Sequence, residues 1–474
     1  MGNSSTKSTN SEFNRVLGRW DIFTLAFGAM IGWGWVVLTS DWIQQAGVFG
    51  AIVAFFIGGV VVSLVGLTYS ELTAAMPKVG GEHVFSYRGL GVNASFLCTW
   101  FIILGYVSVC AFEAVALPVV LENLIPLSHG NPIWSINDSP IHLDWVSIGI
   151  AGSLVIGFIN FKGVKSAAFI QAIFTGFILI VGLLLIFGSL FLNSAPVDST
   201  EVWDTSKFSI GLMSVIIMTP FMFVGFDVIP QAAEEIDLPF KMIGRVLILS
   251  VVLAVVWYIA IIYGVGTTLT SSELSNGSLA PAEAMQKIFG AKWAKDLLVL
   301  AGLSGILTSW NSFFIGATRS IYAMGHSGML PKFFSHLHPK HKSPVNAIIF
   351  VTLISIFATL FGEIALGWLV NAGSLGIVIS WSVVSLSFLM LRKKEPNMKR
   401  PFKVLFGKPV GILAFIFSLG LIYLYLPGNP SALSTYEWII IGIWSLIGLG
   451  FYLWTNKVYG KKEIRENMAE HASS

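Results

Sequence analysis

Gly28-Ala-Met-Ile-Gly-Trp-Gly-Trp35 interrupts the first long apolar segment of the chain, Trp20 to Leu38. The rest of that segment reads as a membrane-spanning helix. Gly28, Gly32 and Gly34, however, each weaken a helix interior by roughly 1 kcal/mol relative to Ala. In hydrocarbon, backbone that leaves the helical ladder survives only where protein or a water-lined cavity covers it. A broken first helix therefore predicts a site at the bilayer midplane, where freed N–H and C=O groups hold a small solute. Close packing of a neighbouring helix on the glycines is the competing reading.

Composition excludes a soluble domain. Of 474 residues, 55% are hydrophobic and 11% charged, against roughly 25% charged in soluble proteins. The mean hydropathy is +0.78. At about 20 apolar residues per span, the chain predicts an all-α membrane protein with twelve transmembrane helices. They lie near residues 20–38, 48–75, 94–120, 145–161, 166–192, 209–232, 244–269, 296–324, 345–361, 365–391, 409–426 and 436–455. Residues 1–14 are polar, lack a cleavable signal pattern and read as a disordered cytoplasmic tail. Cys98 and Cys110 share the third span, so no disulfide framework is expected. With the N-terminus inside, only Lys207, Lys287, Lys292 and Lys295 of the 28 Lys and Arg fall on the outer side. That asymmetry follows the positive-inside rule and predicts cytoplasmic termini in the cell membrane. The net charge of +3 reports topology and implies no nucleic-acid partner.

The sixth span repeats the oddity of the first. Pro220-Phe-Met-Phe-Val-Gly-Phe-Asp-Val-Ile-Pro230 has a proline at each end, Gly225 at its centre and a carboxylate, Asp227. Proline removes a helical hydrogen bond and clashes with the preceding turn. An acid in the membrane costs roughly 2.5–3.5 kcal/mol. Interrupted spans at matching places in two halves point to a transporter built as an inverted repeat. The expected core, residues 15–400, holds spans 1–5 and 6–10 as a 5+5 inverted repeat with discontinuous helices 1 and 6. Two further helices occupy 401–458, and 459–474 form a cytoplasmic C-terminal tail.

Several motifs resemble the amino acid–polyamine–organocation superfamily of permeases. They are the Gly-Ala-Met-Ile-Gly-x-Gly run from Gly28, the loop Glu71-Leu-x-x-Ala-Met-Pro-Lys-x-Gly-Gly-Glu-His83 and Gly225-Phe-Asp-x-Ile229 with Ala233-Glu-Glu235. Thr318-Arg-x-x-Tyr-Ala-Met-Gly-x-x-Gly-x-Leu-Pro331 follows span eight. The resemblance implies a non-enzyme: a secondary transporter of an amino acid or related small amine, working by alternating access without a cofactor. It places the substrate carboxylate on amides of Ile31, Gly32, Trp33 and Gly34. The ammonium then falls on carbonyls near Ala29 and Met30 and along Met222, Phe223, Val224 and Gly225. Phe226 matches the aromatic residue that closes over the substrate. Elementary electrostatics agrees, because a half-helix N-terminus offers free N–H donors and a positive dipole end.

Trp33 and Trp35 depart from the small and aliphatic residues usual there. They either cage an ammonium by cation–π attraction or serve packing. Glu113 and Asp227 are the acids deepest in the apolar spans. Glu113 reads as a counter-ion for a cationic substrate, a proton-coupling carboxyl, or a buried acid bonded to a neighbouring helix. Asp227, included among the binding residues, also suits a brace for the broken helix. Many proton-coupled relatives carry a Lys in span five soon after a Thr, whereas Gly176, Phe177 and Ile178 follow Thr175 here. The coupling ion is thus open between proton and sodium, with Ser304 and Thr308, beside Ser309, as weak sodium-site candidates. His336, His338 and His341 lack a second ligand pair and predict no metal site. Met1-Gly-Asn-Ser-Ser-Thr6 fits a myristoylation pattern and Asn276-Gly-Ser278 a glycosylation one, both short and discounted. A substrate sensor on the same fold, or a polyamine or amine exchanger, is the alternative. Substrate identity, direction and oligomeric state are not legible.

Overall fold

The structure, a computed structural model, describes residue 13 and residues 15–473 apart from 126, 128, 129, 137, 138, 194, 195, 277, 278 and 430. Most of the N-terminal tail with its myristoylation pattern, and part of the glycosylation pattern, lie outside those residues.

The chain is helical almost throughout. In order come α1 (Arg19–Met30), α2 (Gly34–Ala75), α3 (Glu82–Leu90), α4 (Val92–Glu122), α5 (Leu143–Phe161), α6 (Val164–Phe191) and α7 (Ser199–Val202). Then follow α8 (Phe208–Ile216), α9 (Thr219–Phe223), α10 (Val228–Gln231), α11 (Phe240–Gly266), α12 (Ser271–Asn276) and α13 (Ala280–Phe289). The last are α14 (Lys292–His326), α15 (Val345–Thr359), α16 (Ala365–Lys394), α17 (Gly407–Tyr425), α18 (Thr435–Val458) and α19 (Gly460–Ser473). A small antiparallel hairpin, β1 (Trp134–Ile136) and β2 (Ser139–Ile141), joins α4 to α5.

Among the described residues ten helical stretches are long and apolar enough to cross a membrane. The first, Arg19–Ala75, runs for 57 residues, far more than one crossing needs at about 1.5 Å per residue. It is broken between Met30 and Gly34 and kinked at Gly47, whose φ of 72° is left-handed. Val345–Thr359 is a shorter apolar helix.

Burial sorts these helices into a centre and a rim. The most apolar windows of α4 and α14 are 89% and 83% buried, those of α17 and α18 only 28% and 22%. An integral membrane protein whose rim helices face lipid needs no polar outer surface. The late helix α18 is fastened to α4 by a reciprocal tryptophan pair. Trp100 Nε1 donates to Trp444 O at 2.9 Å, Trp444 Nε1 to Trp100 O at 3.0 Å, and the rings stack at 4.5 Å. A Cβ on Gly448 would stand 2.2 Å from Trp100 Nε1, so this helix must carry glycine there.

The basic face is closed by buried charge. Arg319 Nε meets Glu235 at 2.9 Å, with side chains 1% and 4% exposed. Arg392 and Arg400 both reach Glu71. Removing one partner of such a pair strands a buried charge at a cost of about 3–5 kcal/mol. The backbone N–H groups of Val16 and Leu17 donate to Glu235 O, and Asp237 N returns a bond to Leu17 O. The segment before α1 is thereby joined to the segment after α10.

Candidate functional site

Each break has a local cause. At the first, Ile31 N still bonds to Phe27 O, but Ile31 takes φ −89°, ψ 18° and the ladder stops. It resumes with Val36 N on Trp33 O. At the second, Val224 is extended (ψ 146°) and Gly225 has φ 134°, a left-handed backbone that side chains resist. Space is equally strict. A Cβ on Gly225 would lie 2.7 Å from Ala29 Cβ and 3.0 Å from Met30 N. The two breaks therefore touch.

Asp227 organises the second break. Gly225 N donates to its Oδ1 at 3.0 Å, Trp381 Nε1 to its Oδ2 at 3.1 Å, and Tyr106 OH to its backbone carbonyl at 2.9 Å. Both carboxylate oxygens are thus engaged by protein donors.

Beside the first break lies a small cavity. Its walls include Ala29, Met30, Gly32, Trp33 and Gly34 from the break, Glu113 from α4, Ser309 from α14 and Tyr258 from α11. The space open to the centre of a water molecule is about 20 Å³, enough for one or two waters and too small for an amino acid. Ser309 Oγ donates to Glu113 Oε1, while Glu113 Oε2 is buried without a hydrogen-bond partner. Tyr258 OH donates to Met30 O at 2.6 Å, capturing one carbonyl freed by the break.

Of the residues expected to bind substrate, Ala29, Met30, Gly32, Trp33, Gly34, Glu113 and Met222 line this cavity. Ile31, Phe223, Val224, Gly225, Phe226 and Asp227 are buried and absent from its wall. The Phe226 ring rests on Tyr69 and Trp381 at 5.3 and 5.6 Å, and that of Phe223 on Phe55 and Tyr258. The two indoles divide: Trp33 joins the wall, whereas Trp35 Nε1 donates to Ile31 O and its ring meets Trp257. Tyr258, Phe112 and Phe313 also line the cavity and carry no sequence signal that marks them. Val109 could have been found, because it stands one helical turn before Glu113.

The cation candidates differ in what their hydroxyls do. Thr308 Oγ1 bridges to Gly28 O at 3.1 Å and Gly305 O at 2.9 Å, joining α14 to α1. Ser304 Oγ bonds within its own helix to Leu300 O. Near Thr175 a neutral network stands in place of a lysine. Gln171 Nε2 donates to Thr24 O at 3.1 Å, Thr175 Oγ1 to the same carbonyl, and Asn311 Nδ2 to Gln171 Oε1. Among the described residues no three His, Cys, Asp or Glu side chains gather as a metal-ligand set.

The two helix breaks lie inside an apolar bundle, and the comparisons give the class of protein. A family model described as amino acid permease matches residues 17–452, and the chain belongs to that family. It is 25% identical over 467 residues to the branched-chain amino acid permease BcaP of Bacillus subtilis, covering 96% of each chain. It is 24% identical to the aspartate-proton symporter of the same organism, over 96% of this chain and 86% of that one. With human cationic amino acid transporter 4 it shares 26% identity over 83% of this chain and 62% of the relative. These relatives are transporters, not enzymes.

Proposed function

We propose that the protein is a secondary transporter of an amino acid or related small amine. Twelve spans, ten of them in a 5+5 inverted repeat with two appended, work by alternating access with both termini cytoplasmic. Substrate sits at the touching breaks of spans one and six, its carboxylate on the amides of residues 31–34. Its ammonium lies among the carbonyls of Ala29, Met30 and the residues before Gly225. The observation that carries this reading is the shared wall: the first break and Glu113, one of whose carboxylate oxygens is buried without a partner, line one cavity. A buried acid retained in a membrane at a cost of roughly 2.5–3.5 kcal/mol is functional by default.

The relatives' names span branched-chain, acidic and cationic amino acids, so family membership alone leaves the side-chain class open. Glu113 beside Trp33 and Tyr258 favours a substrate carrying positive charge near the cavity. The test is counterflow into liposomes holding unlabelled solute, with a panel of labelled amino acids and amines and with proton or sodium gradients applied in turn. Counterflow of one class supports a carrier, and its gradient dependence names the coupling ion. Binding with no flux under any gradient would replace the transporter by a sensor.

A further inference from the structure

A second cavity, of about 180 Å³, opens on the basic face and shares no lining residue with the break-site cavity. Its lining includes Lys162 from the turn between α5 and α6, Lys165 from the first turn of α6, and Lys340 and Lys342 from the loop before α15. Val16 and Glu235 complete one side. The two basic loops are built to meet. Gly163, at φ 106°, comes so close that a Cβ would stand 3.3 Å from His341 O. Ser343 Oγ donates to Phe161 O at 2.9 Å, and the Phe161 ring packs on His338 at 5.0 Å.

The charge around this space is uncompensated. Among the described residues none of the four ammonium groups has a carboxylate within ion-pair distance. The one acid on the wall, Glu235, is held by Arg319. Desolvation, and then repulsion from the neighbouring His338, Lys340 and Lys162, hold the His341 imidazole below its ordinary value. The first turn of α6, a 28-residue helix starting at Val164 behind Gly163, adds its N-terminal N–H groups to the same rim. The rim also borders exposed apolar surface: Lys162 Nζ lies 5.0 Å over the ring of Phe158, which is 59% exposed on α5.

We propose that this cavity is a binding site for a phosphate-type anion, either the headgroup of an anionic phospholipid or free phosphate. Three lysines on two loops, and Lys165 in the first turn of α6 beside that helix's N-terminal N–H groups, converge on a concave space that contains no free carboxylate. The anion neutralises them, and it spans from the scaffold loops to the Val16–Glu235 strap. Binding does not depend on the transport reading.

The experiment uses the full-length protein in neutral detergent, titrated separately with phosphatidylglycerol, phosphatidylcholine and inorganic phosphate. Retention is read by native mass spectrometry, and Tm is followed alongside. Phosphatidylglycerol retained in preference to phosphatidylcholine, with a raised Tm, is expected for a lipid headgroup. The same rise with phosphate alone identifies the free anion. K162Q/K165Q/K340Q/K342Q is expected to weaken binding about tenfold or more, while K393Q/K399Q/K461Q/K462Q, equal in charge lost, leaves it unchanged. If the quadruple variant does not fold, K162Q/K165Q and K340Q/K342Q carry the comparison separately. The proposal is overturned if neither anion binds, if phosphatidylcholine binds equally, or if the control variant loses as much affinity.

Discussion

Ser309 Oγ donates a hydrogen bond to one oxygen of Glu113, whose other oxygen is buried without a partner, and both residues line the cavity at the first helix break. A hydrogen bond to a charged group contributes about 1.5–3 kcal/mol, equivalent to roughly 10- to 100-fold in affinity. Glu113→Gln keeps the shape and removes the charge. Its kcat/KM for the preferred substrate is expected to fall by that factor, with unchanged elution on size exclusion. Uptake at the normal rate would remove Glu113 from the site.

Gly225 and Ala29 hold the two breaks together. Gly225→Ala meets both a left-handed φ and the Ala29 methyl. Such strain costs about 1–3 kcal/mol, so a lower Tm and strongly reduced counterflow are expected. Adding Ala29→Gly removes the closest contact and restores part of the loss, since the backbone strain and the contact with Met30 N persist. No recovery in the double variant would mean that the contact is incidental.

Trp381 and Asp227 form the brace of the second break. Trp381→Phe keeps the ring against Phe226 but deletes the N–H donor, leaving one carboxylate oxygen buried and short of a bond. A destabilisation of about 1–3 kcal/mol follows, measured as a shift in thermal unfolding. A variant as stable as the parent would show that the indole N–H contributes only packing.

His83 gives the fold an acid limit. Its imidazole sits in α3, bonded through Nδ1 to Ser95 and Thr99 and through Nε2 to Ser327. Burial first, then the neighbouring His471 and His326, hold it well below its ordinary value of 6.5. The unfolded chain therefore takes up a proton that the folded chain refuses. This stability is whole above about pH 6.5 and is lost as the pH falls below it. Between about pH 7 and pH 5, Tm should fall more steeply in the parent than in His83→Gln. Parallel slopes would place the acid sensitivity elsewhere.

Sequence by itself determined that this is an all-helical membrane protein, and marked the two stretches rich in Gly and Pro at which helices break. Hydrophobic length and backbone chemistry are local properties, readable along one strand of text. It also singled out Glu113, because a carboxyl in an apolar run is costly wherever it points. Tertiary structure alone decided that Trp33 joins the cavity while Trp35 turns away. It likewise decided that Asp227 is saturated by Gly225 and Trp381, and that Tyr258, from a distant helix, takes the carbonyl of Met30. It made the C-terminal segment a helix, α19, whose His471 reaches Val79 O. In sequence that segment is only polar. Such outcomes depend on how helices rotate and cross, and nearly every face of an apolar span looks alike until a neighbour covers it.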